Sequence, residues 1–142
     1  MFSKLTALVL ALAVTLIVAS AGAATSTPGH ASLLIRHQMR GCHTWSANND
    51  AFKASQAITL RRGGLITVTN NDVMPHKLVL TSGPALRIEH PTLGHMGASL
   101  KVTLTKPGIY HFTTKPGEDY PAMAGMKTIG EDNVLKLVVV VP

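Results

Sequence analysis

The chain is 142 residues long, 46% hydrophobic but only 4% aromatic, with thirteen Lys and Arg against seven Asp and Glu for a formal net charge of +6. That length suits one domain around one core, and the positive excess suits an acidic partner or surface. Scarce aromatics and scattered charge, with Arg61-Arg62 the only adjacent basic pair, exclude a nucleic-acid binder.

At the amino terminus Lys4 precedes the uncharged run Leu5 to Val18 and the small residues Ala19-Ser20-Ala21-Gly22-Ala23-Ala24. These are the charged, apolar and cleavage regions of a secretory signal. Cleavage after Ala21 or Ala23 is expected, because polar Thr25 to Gly29 follows rather than a basic stop-transfer cluster. The alternative is an uncleaved anchor, since the run is close to the ~20 residues of a spanning helix. The expected division is a signal segment 1–23, a flexible leader 24–31 and one domain 32–142, exported to the periplasm or the cell exterior. A membrane is involved only if the segment is retained.

From Ser32 onward β-branched and aliphatic runs alternate with turn residues at short, regular spacing, which predicts a sandwich or barrel. Strands are expected near 32–39, 56–60, 65–70, 76–81, 99–105, 108–114 and 133–141. Arg62-Gly63-Gly64, Asn70-Asn71-Asp72, Ser82-Gly83-Pro84, Lys106-Pro107-Gly108 and Gly130 to Asn133 punctuate them. Alternation assigns His76, Leu78 and Leu80 to one inner face, Leu100, Val102 and Leu104 to another, and Tyr110, Phe112 and Thr114 to a third. The run Leu135 to Val141 is apolar at nearly every position, as for a strand covered on both sides.

Cys42 is the only cysteine and cannot form an internal disulfide. In an oxidising compartment it has to be buried, bound to a metal or joined to another chain.

The segment Ile66 to Val79, with Asn70-Asn71-Asp72 before His76, resembles the cupredoxin strand and loop that deliver the first copper-binding histidine. Lys106-Pro107-Gly108-Ile109-Tyr110-His111-Phe112-Thr113-Thr114 is similar to the penultimate strand of that family, and Leu135 to Val141 to its last. The resemblance implies an all-β Greek-key sandwich of seven to eight strands and one copper ion, Cu(I)/Cu(II). It departs where it matters most. Thr114 stands where the family has its cysteine ligand, and the following loop holds Met123 and Met126 but no histidine.

The missing thiolate is therefore expected from His37-Gln38-Met39-Arg40-Gly41-Cys42-His43-Thr44-Trp45, read as part of the first strand. Straight alternation turns Ile35, Met39, His43 and Trp45 inward and Cys42 outward, unless a bulge at Gly41 resets the register. The expected metal ligands are Cys42, His76, His43 and Met123 or Met126. Met96, Met74 and His95 are weaker candidates, and Glu118 a possible acceptor for a ligand histidine's N–H. Thioether, imidazole and thiolate donors together favour copper. For each of these residues a structural role in the core or on the surface is the alternative, and His37, His90 and His111 are assigned to the surface or to support of the ligands.

No nucleophile turn and no paired carboxylates point to catalysis, so neither an enzyme nor a small-molecule substrate is expected. The leading reading is an exported copper protein for electron transfer or copper carriage, with a redox or copper-transfer protein as partner. The alternatives are a Cu(I) buffer without a redox partner and a metal-free secreted interaction module.

Overall fold

The computed structural model describes residues 26–37, 43–116 and 134–142. They form nine strands: β1 (His30–His37), β2 (His43–Ala47), β3 (Ser55–Thr59), β4 (Gly64–Asn71), β5 (His76–Ser82), β6 (Thr92–Leu93), β7 (Ser99–Leu104), β8 (Gly108–Pro116) and β9 (Lys136–Val141). Two mixed sheets result, one ordered β2-β1-β4-β7 and the other β3-β9-β8-β5-β6. Each has one parallel pair, β1 with β4 and β3 with β9, and is otherwise antiparallel.

Alternation decides what lies between the sheets. Leu33 and Ile35 of β1, Ile66 and Val68 of β4 and Leu100, Val102 and Leu104 of β7 are buried from one sheet. Leu78 of β5, Tyr110 and Phe112 of β8 and Leu137, Val139 and Val141 of β9 are buried from the other. Each such aliphatic side chain removed from water contributes about 1.5–3 kcal/mol, which holds the register, because a slip of one residue would expose a whole row. Trp45 is fully buried and its indole N–H donates to the Ala54 carbonyl at 3.2 Å.

Two expectations need correction. The stretch from His37 to Trp45 does not continue one strand: β1 and β2 are antiparallel neighbours, with Ile35 opposite Trp45 and His37 opposite His43. Ile35, His43 and Trp45 are all buried as expected, but from two strands. The second correction concerns β9, which is not covered on both faces: Val140 remains 39% exposed. Its valines instead suit a central strand hydrogen-bonded on both edges, to β3 and β8. Besides β2, the two-residue β6 was not anticipated.

The register defines two ends. At one, the turns around Arg61 to Gly63 and around Thr105 to Pro107 close the sandwich. At the other lie the end of β1, the start of β2, the β4–β5 loop and the end of β8, with His37 opposite His43 and His76 opposite both Leu93 and Pro116. The predicted signal segment 1–23, and Met39, Gly41, Cys42, Glu118, Met123 and Met126, lie outside the described residues.

Candidate metal centre

The loop joining β4 to β5 is built by Asn70 and Asp72. The Asp72 amide donates to Asn70 Oδ1 at 2.9 Å and the Met74 amide donates to Asp72 Oδ1 at 3.1 Å, two successive side-chain-to-backbone turns. Asn70 Nδ2 donates to the carbonyls of Met74 at 2.9 Å and Leu93 at 3.1 Å, tying the loop to β6. With both side chains fully buried, Pro75 leads directly into β5 and His76 enters the interior.

Asp72 gathers histidines from two sheets. His43 Nδ1 lies 2.7 Å from Asp72 Oδ2 and His76 Nε2 lies 3.2 Å from the same oxygen. An ionised carboxylate only accepts, so both nitrogens carry the proton and donate. The rings of His43 and His76 meet edge to face, 5.0 Å between centroids. His37, with its side chain half exposed, has Nδ1 4.0 Å from Asp72 Oδ1 and its ring centroid 6.1 Å from that of His43.

Burial alone would push the Asp72 carboxyl up. The hydrogen bonds from His43, the Met74 amide and His76 outweigh it and hold the carboxyl below its usual value. For His76, burial pushes the pKa down, and the bond to Asp72 only partly opposes this. The ring is thus held neutral with its proton on Nε2.

That tautomer leaves His76 Nδ1 as a bare lone pair, buried and without a partner among the described residues. Thr114 Oγ1 is likewise buried and, among the described residues, unpartnered. Thr114 pairs with Leu78, and His76 with Pro116, so the two residues are diagonal neighbours on one inner face of the β5–β8 pair. Native interiors rarely leave polar atoms in this state. An imidazole oriented by a carboxylate through one nitrogen, with the other free, is the usual preparation of a metal-binding histidine. The residues present fit a metal.

Of the other candidates, Met74 contributes its backbone to the loop, its side chain only half buried. Met96 is 54% exposed, and His95 Nδ1 donates to the Met96 carbonyl at 2.9 Å. His95 is not among the donors that converge on Asp72. Among the described residues, the set able to place donor atoms within 4.8 Å of one another is His37, His43 and Asp72. Sequence reasoning treated Asp72 as a turn residue and gave Glu118 the part of accepting a histidine N–H, which Asp72 performs here. The available signal was Asn70-x-Asp72, a side-chain turn pattern, four residues ahead of an inward histidine.

No protein-family model and no curated protein matches the chain. Solved structures similar to it include a purple cupredoxin from Nitrosopumilus maritimus, at 15% identity over 78% of this chain and 98% of that one, with a TM-score of 0.44. A variant of the McoA multicopper oxidase from the hyperthermophile Aquifex aeolicus aligns at 12% identity over 82% of this chain and 29% of that one, TM-score 0.49. An oxidised amicyanin variant aligns at 14% over 78% and 82%, TM-score 0.38. Likenesses this remote say nothing about ligands. The chain's own strand order and pairing, with an inward histidine opening β5 behind an Asn/Asp loop, make it a cupredoxin-like β-sandwich.

Proposed function

We propose that the chain is an exported copper-binding protein of the electron-transfer or copper-carriage kind, holding one ion beside His76, with no catalytic activity of its own. The observation that carries this is His76 Nδ1, buried and without a partner among the described residues while Asp72 holds the other nitrogen of the ring. Thr114 occupies the position of the family's cysteine ligand, so β8 supplies no thiolate. The thiolate then falls to Cys42, the only cysteine and the residue next to His43. His43, and Met123 or Met126, complete the donor set. Imidazole, thiolate and thioether together select copper over hard cations, and bound copper supplies a one-electron couple. The chain's residues orient the ligands, exclude water and keep His76 neutral. Export rests on the amino-terminal signal pattern, and the positive charge suits an acidic protein partner.

Anaerobic titration with Cu(I), followed by oxidation and absorbance spectroscopy, tests the proposal on the wild type, Cys42→Ala and His76→Ala. A coloured Cu(II) form that cycles reversibly supports electron transfer. Tight Cu(I) binding without such cycling supports the buffering alternative. A wild type that takes up no copper, or uptake unchanged in both variants, leaves the metal-free module.

A further inference from the structure

Three imidazoles lead from solvent to the buried nitrogen. The His37 side chain is 49% exposed, that of His43 3% and that of His76 0%. Successive ring centroids are 6.1 and 5.0 Å apart, at interplanar angles of 74° and 85°. Asp72 lies against all three, with His37 Nδ1 at 4.0 Å, His43 Nδ1 at 2.7 Å and His76 Nε2 at 3.2 Å from its carboxylate oxygens. The row is assembled from β1, β2 and β5, so it joins the two sheets and no local turn explains it.

We propose that His37, His43 and Asp72 form an outer metal station, and that an ion reaches the buried site by passing through it. This rests on the reading of His76 as a metal ligand. It adds a second binding position, with His37 as the exposed donor that first captures the ion. A cation gives up its water shell on the way into a protein interior only where protein donors replace that shell step by step. The outer station supplies two imidazole nitrogens and a carboxylate oxygen, a set suited to borderline divalent cations, Cu2+ above Zn2+. These donor atoms lie within 4.8 Å of one another, close enough to converge on one ion with small side-chain movements. Capture displaces the proton that His43 Nδ1 shares with Asp72, and that proton leaves to solvent. Transfer inward exchanges His37 and the Asp72 carboxylate for His76 Nδ1, with His43 retained through its other ring nitrogen, Nε2, as a proton returns to the hydrogen bond between His43 Nδ1 and Asp72. The metal keeps its oxidation state throughout.

Trp45, the only tryptophan, lies on β2 two residues from His43 and reports the approach of Cu2+ by fluorescence quenching. Stopped-flow mixing of the metal-free full chain with Cu2+ is compared for the wild type, His37→Phe and His95→Ala, an exposed histidine outside the row. His37→Phe is expected to slow quenching about tenfold or more, reaching the wild-type final amplitude and stoichiometry, while His95→Ala follows the wild type. Quenching at the wild-type rate in His37→Phe overturns the station and leaves the His76 reading intact. A lowered final stoichiometry in His37→Phe also overturns it, by making His37 a resident ligand. If the wild type takes up no copper, the His76 reading and the station both fall.

Discussion

The two ends of the sandwich treat polar groups in opposite ways. At the closed end the polar groups of the described residues find partners: the inward Tyr110 hydroxyl donates to the Lys106 carbonyl at 2.7 Å, and at the surface Arg62 Nε donates to the Thr105 carbonyl at 3.0 Å. The backbone does the same, with the Gly63 amide on the Leu104 carbonyl at 2.7 Å and the Arg61 amide on Pro28 at 2.8 Å. At the other end His43, Asn70, Asp72, His76 and Thr114 are all buried, and two of their polar atoms have no partner among the described residues. One end is finished as a fold. Among the described residues the other is unfinished, and each unsatisfied buried polar group costs about 1–3 kcal/mol.

Substitutions at the two ends should separate these characters. The largest expected effect is at the carboxylate: Asp72→Ala strands two buried histidines and lowers the unfolding free energy by about 3 kcal/mol or more, measured by chemical denaturation of the metal-free protein. A loss under about 1 kcal/mol would mean that Asp72 does not organise this end. The pH dependence is next in size. The folded-state pKa values of His76 and Asp72 both lie below their ordinary 6.5 and 3.8, so the unfolded chain binds more protons than the folded one. Their contribution is complete above pH 6.5, falls as acid carries the solution through the lowered His76 value, and falls again below 3.8 as Asp72 protonates. Denaturation midpoints that do not change from neutral pH to pH 4 would contradict this.

The smallest effects differ in sign. Tyr110→Phe, at the finished end, removes a satisfied hydrogen bond and should cost about 1 kcal/mol. Thr114→Val, at the unfinished end, replaces an unpartnered hydroxyl with a methyl of similar shape and should leave the metal-free protein as stable or up to about 1 kcal/mol more stable. If the two substitutions destabilise alike, the contrast between the ends is lost.

Much of this was legible in the sequence wherever information is local. The strands β1, β3, β4, β5, β7, β8 and β9 follow from β-branched and aliphatic runs between turn residues, and alternation placed His76, Leu100, Val102, Leu104 and Thr114 inside. The pairing of β1 with β2 was hidden because alternation over Ile35, Met39, His43 and Trp45 reads as one continuous strand, while β2, His43-Thr44-Trp45-Ser46-Ala47, is buried at every position. Its outer side is covered by the chain that follows, where Ser46 Oγ donates to the Asp50 carbonyl and the Trp45 and Lys53 backbones pair. Asp72 was equally hidden. It reads as a turn residue until His43, twenty-nine positions away, arrives from the other side of a strand pairing. His37 looks like a surface histidine until the β1–β2 register places it opposite His43.

The account stands or falls on which nitrogen of His76 meets the metal. Crystals of the copper-loaded protein, with diffraction collected on both sides of the copper absorption edge, locate the ion directly. The account predicts one anomalous peak within bonding distance of His76 Nδ1, with Nε2 still on Asp72. A peak bound elsewhere, or one on Nε2 with Asp72 displaced, would contradict it.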